Sequence, residues 1–300
     1  MNKKTEHFDV FTIITNRIIE QLEQSVIPWR KPWSQGGHPQ NLFTKRAYTG
    51  INTWLLGSLG YAQNYFLTWN QLKAVGASVK KGEKGTMVVF WKRLPPKEKD
   101  DKDATVGTVL RYYFVFNIAQ IDNLPEVVTI PYPPDSINQI SACDEIIEHM
   151  PNCPAIKHTK QQAYYDPATD YINMPKQSSF ISPESYYCAL LHELIHSTGH
   201  QSRLNRKEIV DAMSFGSEPY SIEELTAEIG ACYLISIAGI VNKEFDNSVA
   251  YIKGWLSKLK NDPRMIVYAS GQAQRATDYI LNIQSYRSDV VNTEEQIETR

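Results

Sequence analysis

Cysteine is scarce in this chain of 300 residues: Cys143, Cys153, Cys188 and Cys232 are the only four, and no two stand in a Cys-x-x-Cys spacing. That argues against a disulfide scaffold and against a zinc knuckle, and it leaves the reduced thiols of a cytoplasmic protein as the expectation. Long apolar runs are missing too. The longest, residues 231–241, is broken by Ser236 and falls well short of the roughly 20 residues a bilayer needs. It reads as part of a buried helix, and no membrane partner is expected. Behind the opening Met-Asn-Lys-Lys, the residues Glu6, His7, Asp9 and Arg17 interrupt any apolar core of a signal peptide. There is no internal repeat.

Net charge is nearly absent as well, at −2, but the balance conceals an asymmetry. Residues 1–125 carry 17 Lys and Arg against 10 Asp and Glu, a net +7, whereas residues 126–300 carry 14 against 23, a net −9. A basic half beside an acidic half predicts that the first meets a polyanion and the second does something else. A length of 300 residues with 42% apolar residues exceeds what one core usually organises and predicts two domains. The prolines at 125, 131, 133 and 134 mark a linker over 126–135, with a first domain over 1–125 and a second over 136–300.

Local pattern predicts a mixed α+β chain. Phe11, Ile14, Ile18 and Leu22 recur at helical spacing. That helix must stop before the prolines of Ile27-Pro28-Trp29-Arg30-Lys31-Pro32-Trp33. The apolar runs 88–91 and 112–116 read as paired strands joined by a charged loop over 97–107. Residues 163–175 read as a sheet edge or as a hairpin turning at 166–170.

The chemistry concentrates in the second half. Ser182-Pro183-Glu184 is a helix start with a hydroxyl cap, proline at the first position and a carboxylate near the positive dipole end. Gly199 stands where a left-handed glycine would end that helix. Between them lies His192-Glu193-Leu194-Ile195-His196. Residues four apart stack on one helix face, so His192 and His196 can offer two imidazole nitrogens to one ion at roughly 2.0–2.1 Å. Glu193 projects about 100° around the helix, where it can act as a base without ligating. Zinc is the expected ion, with manganese or another divalent cation admissible.

A third ligand must come from elsewhere. In the metzincin pattern the last histidine would fall at Ser202, which disfavours that class, and His200 lies beyond the helix-ending glycine. The stretch Glu224-Leu225-Thr226-Ala227-Glu228 matches the gluzincin form Glu-x-x-Ala-acid. Glu224 is therefore the expected third ligand and Glu228 the acid that supports a ligand histidine, with Glu228 the alternative ligand. Ser221 and Glu224 also spell a capping box, the plain structural role for that acid.

In the basic half, Trp29-Arg30-Lys31-Pro32-Trp33 interleaves cations with flat rings, as surfaces for single-stranded nucleic acid do. Lys80, Lys81 and Lys84 on a glycine-bearing turn, followed by Trp91 and Lys92, repeat that chemistry. Asn41, Tyr48, Asn52 and Trp69 are further candidates. Tryptophans also fill cores and lysines also solubilise turns, so the residues alone leave both readings open.

Several ordered motifs carry a family resemblance: residues 27–33, Asn41, Tyr48-Thr49-Gly50-Ile51-Asn52, Thr68-Trp69-Asn70-Gln71, 76–86 and Phe116-Asn117-Ile118-Ala119-Gln120 in the first half, then 191–206, Phe215-Gly216-Ser217, 223–228 and Ala273-Gln274-Arg275-Ala276. Together they make the chain resemble the ArdC antirestriction family across nearly its whole length. The resemblance implies a domain that binds single-stranded DNA, fused to a zincin-like metallopeptidase domain of the gluzincin type with an unknown protein substrate. It also implies a role in protecting incoming plasmid DNA from host restriction. The rival reading is a module for single-stranded DNA whose metal site is structural or inactive.

Overall fold

A computed structural model describes residues 9–30, 37–94, 108–125, 139–210, 218–240 and 249–283. The chain opens with α1 (Val10–Glu23), capped by the Asp9 carboxylate, which accepts from the Phe11 amide. Ile14, Ile18 and Leu22 form its buried stripe, as their spacing predicts. A single turn at Pro28–Arg30 follows. Then come β1 (Gln40–Asn41), α2 (Ile51–Gly57), β2 (Tyr65–Thr68), α3 (Trp69–Ala74), β3 (Ser78–Val79), β4 (Thr86–Arg93), β5 (Thr108–Asn117) and β6 (Ile121–Asp122).

Four of these strands make a sheet in the order β1-β2-β5-β4, with β1 parallel to β2 and the rest antiparallel. β4 and β5 pair from Thr86 opposite Val115 to Arg93 opposite Thr108, the long hairpin that the two β-rich runs predict. The Asn52 side chain locks α2 to it, donating to the Val89 carbonyl at 2.7 Å and accepting from the Val89 amide at 2.8 Å.

The second half runs α4 (Gln139–His149), β7 (Ala155–Lys157), β8 (Tyr164–Asp166), β9 (Tyr171–Asn173), α5 (Pro183–Ser197), α6 (Lys207–Val210), α7 (Glu218–Ile237), α8 (Val249–Asn261) and α9 (Met265–Ile280). The three strands form a small sheet in the order β7-β9-β8. β8 and β9 are a hairpin whose tip is 167–170, within the predicted turn. Residues 231–237 of the longest apolar run fall inside α7. Among the described residues no helix is long and apolar enough to cross a membrane.

The α+β class holds, and one apolar cluster crosses the predicted division, while the others stay within one half each. The predicted linker, 126–135, lies outside the described residues. On either side of it, residues of both halves share one apolar cluster: Ile14, Ile18, Trp29, Trp54 and Val89 pack with Leu225, Ile229, Tyr233, Trp255, Ile266 and Ala273. Trp29 stands edge-on to both Trp54 and Trp255, with ring centroids 6.4 Å apart in each case. Hydrogen bonds seal the same seam, the Tyr233 hydroxyl donating to the Gly50 carbonyl at 2.7 Å and the Gly50 amide to Gln274 Oε1 at 3.0 Å. Gly50 carries φ of +57°, a backbone that L side chains rarely adopt. A second cluster, under the small sheet, packs Tyr165, Ile172 and Met174 against Leu190, Leu191, Leu194 and Ile195 of α5 and Ala227, Ala231 and Leu234 of α7. This cluster sets the two helices that carry the site.

Candidate metal centre and nucleic-acid interface

α5 begins as its sequence predicts. The Ser182 hydroxyl accepts from the Ser185 amide at 3.1 Å, with Pro183 in the first turn. Its other end departs from expectation. Gly199 has no left-handed backbone. Its small size is what counts: a Cβ there would lie 2.5 Å from Ile209 Cγ1 and 3.1 Å from Arg206 Nη2. Gly230 on α7 plays the matching part, since a Cβ there would lie 2.6 Å from Ile195 Cδ1. The absent side chain lets α7 close on α5.

That approach brings His192, His196 and Glu224 together. The two Nε2 atoms are 3.1 Å apart, and the Glu224 carboxylate oxygens stand 3.7 Å from His192 Nε2 and 3.6 Å from His196 Nε2. Donors around a tetrahedral ion at ~2.1 Å lie about 3.4 Å from one another, so two nitrogens and the Glu224 carboxylate, one oxygen towards each, suit a divalent cation. Among the described residues this is the group able to hold a metal. Glu193 is half-buried beside it.

His196 is held from behind by residues that sequence reasoning missed. His196 Nδ1 meets Glu223 Oε1 at 3.0 Å. Arg206 grips that same carboxylate with two donors, Nε at 2.8 Å and Nη2 at 2.6 Å, and also donates to the Thr198 hydroxyl at 2.6 Å and the Ile195 carbonyl at 2.9 Å. Glu223 and Arg206 are 3% and 4% exposed, so each charge depends on the other. Burial pushes the Glu223 carboxyl up, but Arg206 and His196 outweigh it and hold it below the usual range. Burial opposes charge on His196, yet the hydrogen bond and charge of Glu223, with Glu224 and Glu193 nearby, raise it above the ordinary value.

Glu228 requires a correction. It accepts from Trp29 Nε1 at 3.3 Å, pairs with Arg30 Nη2 at 3.4 Å and accepts from the Tyr251 hydroxyl. It therefore braces the N-terminal half against α7, and Glu223 has the role expected of it. A signal for Glu223 was present: Ala227, Ala231 and Leu234, four, eight and eleven residues on, are buried towards α5. They form a second stripe on a helix already buried through Leu225, Ile229 and Cys232.

The predicted DNA-contacting residues divide. Trp29 is 1% exposed and has no face to offer a base. Arg30 is paired with Glu228 and lies 4.2 Å from the Tyr251 ring centroid. Buried Asn41 exchanges side-chain hydrogen bonds with Gln71 and accepts from the Phe43 and Thr44 amides. Tyr48 is buried among Leu56, Phe66 and Val88, and Asn52 is spent on the Val89 backbone. These five are engaged within the chain itself, by burial or by the contacts just given. Lys31 and Trp33 lie outside the described residues. Lys80, Lys81, Lys84, Trp91 and Lys92 are exposed.

Two histidines of one helix and a glutamate of a second, with an acid beside the first histidine, define the zincin class of metal sites. Comparison with known proteins agrees. Residues 142–272 match the model of a zincin-like metallopeptidase domain, and residues 8–117 match that of the N-terminal domain of anti-restriction factor ArdC. Two crystal structures of the antirestriction ArdC protein from plasmid R388, one metal-free and one with Mn(II) bound, are similar at a TM-score of 0.72. They are 35% and 36% identical, over 92% and 93% of this chain and 98% and 100% of theirs. The chain belongs to the ArdC antirestriction family. The uncharacterized protein y4eC of Sinorhizobium fredii is 31% identical over 91% of each chain. Two Escherichia coli proteins called DNA primase TraC are 35% and 36% identical over 95% and 90% of this chain, which spans only 28% and 20% of their length.

Proposed function

We propose that this chain is a metal-dependent peptidase whose N-terminal half holds single-stranded DNA, acting in the cytoplasm to protect incoming plasmid DNA from host restriction. The observation that carries the peptidase reading is the convergence of His192, His196 and Glu224 from two helices, with Glu193 beside them. Zinc suits two imidazoles and a carboxylate best, and manganese, bound by the R388 relative, suits them too. A divalent ion there supplies Lewis acidity towards a water and a peptide carbonyl.

Glu193 takes the proton of the attacking water and delivers it to the leaving amide nitrogen, so the water oxygen bonds to the carbonyl carbon as the C–N bond breaks. Glu223 holds His196 Nδ1, which turns the Nε2 lone pair towards the metal position. The DNA reading rests on the net charge of +7 over residues 1–125 and on the exposed lysines. The presence of this region inside longer chains named as DNA primases supports it.

A purely structural metal is disfavoured by packing: α5 and α7 are joined by buried apolar side chains and by the Arg206–Glu223 pair, none of which needs an ion. Glu193→Gln should keep the metal and the fold while hydrolysis of a protein substrate, found by comparing cleavage products in cells, falls by at least about 100-fold. Parental cleavage by that variant, or unfolding of the parent on chelation, would overturn the peptidase reading.

A further inference from the structure

Two exposed rings of the N-terminal half, Trp69 and Phe114, lie away from the Trp29 motif with further rings of one face of the four-stranded sheet. Along β5, Tyr112, Phe114 and Phe116 alternate with Tyr113 and Val115 and so share a face. Tyr113 and Val115 turn the other way, towards Tyr48, Leu56 and Phe66. Phe114 is 46% exposed, and Trp69, at the start of α3, is 49% exposed. The rings stand in two pairs: Trp69 lies 5.8 Å from Phe116, and Phe114 lies 5.8 Å from Tyr112, centroid to centroid.

Cations edge this strip. A Cβ on Gly85 would lie 3.0 Å from Phe114 Cβ and from Phe116 Cζ, so the turn that carries Lys80, Lys81 and Lys84, all exposed, is pressed close to the rings. Lys80 Nζ donates to the Ala119 carbonyl at 2.8 Å, just past the end of β5, and Lys73 Nζ lies 5.8 Å from the Trp69 centroid. Glu83, the acid within that turn, accepts from Gln120 Nε2 at 2.8 Å. Two rings open to solvent, backed by the half-buried Phe116 and Tyr112 and with ammonium groups along one margin, match a strand whose bases are unstacked and whose phosphates run alongside. A duplex hides its base faces and has no use for such rings.

We propose that Trp69, Phe114 and Phe116, edged by Lys73, Lys80 and Lys84, form the seat of single-stranded DNA, with about two or three bases on the rings and phosphates along the lysines. The proposal rests on the reading that this half holds single-stranded DNA, and it locates where. The test uses the full chain and a labelled oligothymidine of about 12 nucleotides, followed by fluorescence anisotropy. Trp69→Ala and Phe114→Ala should each weaken binding about tenfold, and Phe114→Tyr, which keeps a ring, should restore it. Lys84→Gln should lower the slope of log affinity against log salt by about 0.7. Unlabelled duplex should compete poorly. Parental binding of DNA with undiminished affinity in both alanine variants would place the DNA elsewhere and overturn the proposal while leaving the broader reading intact. No binding by the parent would overturn both. Loss of self-association in Phe114→Ala, seen by sedimentation with DNA affinity unchanged, would assign the strip to a second copy of the chain instead.

Discussion

The half that carries the candidate metal site and the half proposed to hold single-stranded DNA treat their polar groups in opposite ways. Around His196, charges are taken out of water and matched: Glu223 and Arg206 are almost fully buried and satisfy each other and the histidine. In the N-terminal half the groups offered to a partner stay outside, with Trp69, Trp91 and Phe114 all 46–55% exposed and lysines at the rim. The difference suits the ligands proposed for the two halves. A small ion needs donors held to a fraction of an ångström, which burial and second hydrogen bonds provide. A flexible polyanion needs open ring faces and cations free to follow it. Trp29 and Arg30 fall on the buried side of this contrast although their sequence motif resembles the exposed kind. They brace the halves against each other at Glu228.

The contrast predicts the heaviest loss where a buried charge is stranded. Glu223→Ala leaves Arg206 unpaired inside the protein and should cost about 3–5 kcal/mol of stability by chemical denaturation. Metal affinity, measured by titration on the folded fraction, should weaken by about 10–100-fold. A loss under 1 kcal/mol with unchanged metal affinity would break the contrast at its centre.

A sharper test separates the two acids of α7. Glu224→Gln should weaken metal binding with little effect on the denaturation midpoint, because it removes a half-exposed donor. Glu228→Gln should do the reverse, keeping the metal while losing about 1.5–3 kcal/mol through the weakened contacts to Arg30, Trp29 and Tyr251. Exchange of these two outcomes would restore Glu228 to the metal site.

The smallest effect is set by pH. Asp170, at the tip of the β8–β9 hairpin, accepts from the Tyr165 hydroxyl at 2.8 Å and from Arg203 Nη1 at 3.2 Å. Burial pushes its carboxyl up, but the hydrogen bonds from Arg203 and Tyr165 and the Arg203 charge outweigh it and hold the value below the ordinary one. Its stabilising contribution is therefore present above the unfolded aspartate value of about 3.9 and is lost as pH falls through the lower folded value. Asp170→Asn should flatten the acid limb of a plot of stability against pH below about 4, and an unchanged limb would remove Asp170 from the account.

How much was legible varied with distance along the chain. His192, Glu193 and His196 lie within one and a half turns of one helix, and Ser182-Pro183 announces where that helix starts, so local spacing alone placed them. Glu224 came from a motif on a second helix. Glu223 did not, because the choice between two adjacent acids depends on which faces α5, and α7 is buried on two sides. Gly199 was misread for a similar reason: a glycine after a helix suggests a left-handed cap, whereas its neighbours Ile209 and Arg206 return from later in the chain to fill the space above it.

The same limit applied to the rings and cations of the first half. Composition and charge marked residues 1–125 as basic and aromatic, but nothing local distinguishes Trp29, sealed between Trp54 and Trp255, from Trp69, open beside Phe116. By itself the sequence determined the opening helix, the two helices that carry the candidate site, the long hairpin and the His192–His196 spacing with its acid, since each depends on contacts a few residues apart, and its composition gave the charge asymmetry. The tertiary structure alone decided which acid supports the histidine, which aromatic residues face water and that one apolar cluster joins both halves. Those outcomes depend on side chains far apart in sequence, 27 residues for His196 and Glu223 and 199 for Trp29 and Glu228, competing for the same buried volume, a competition that local periodicity does not encode.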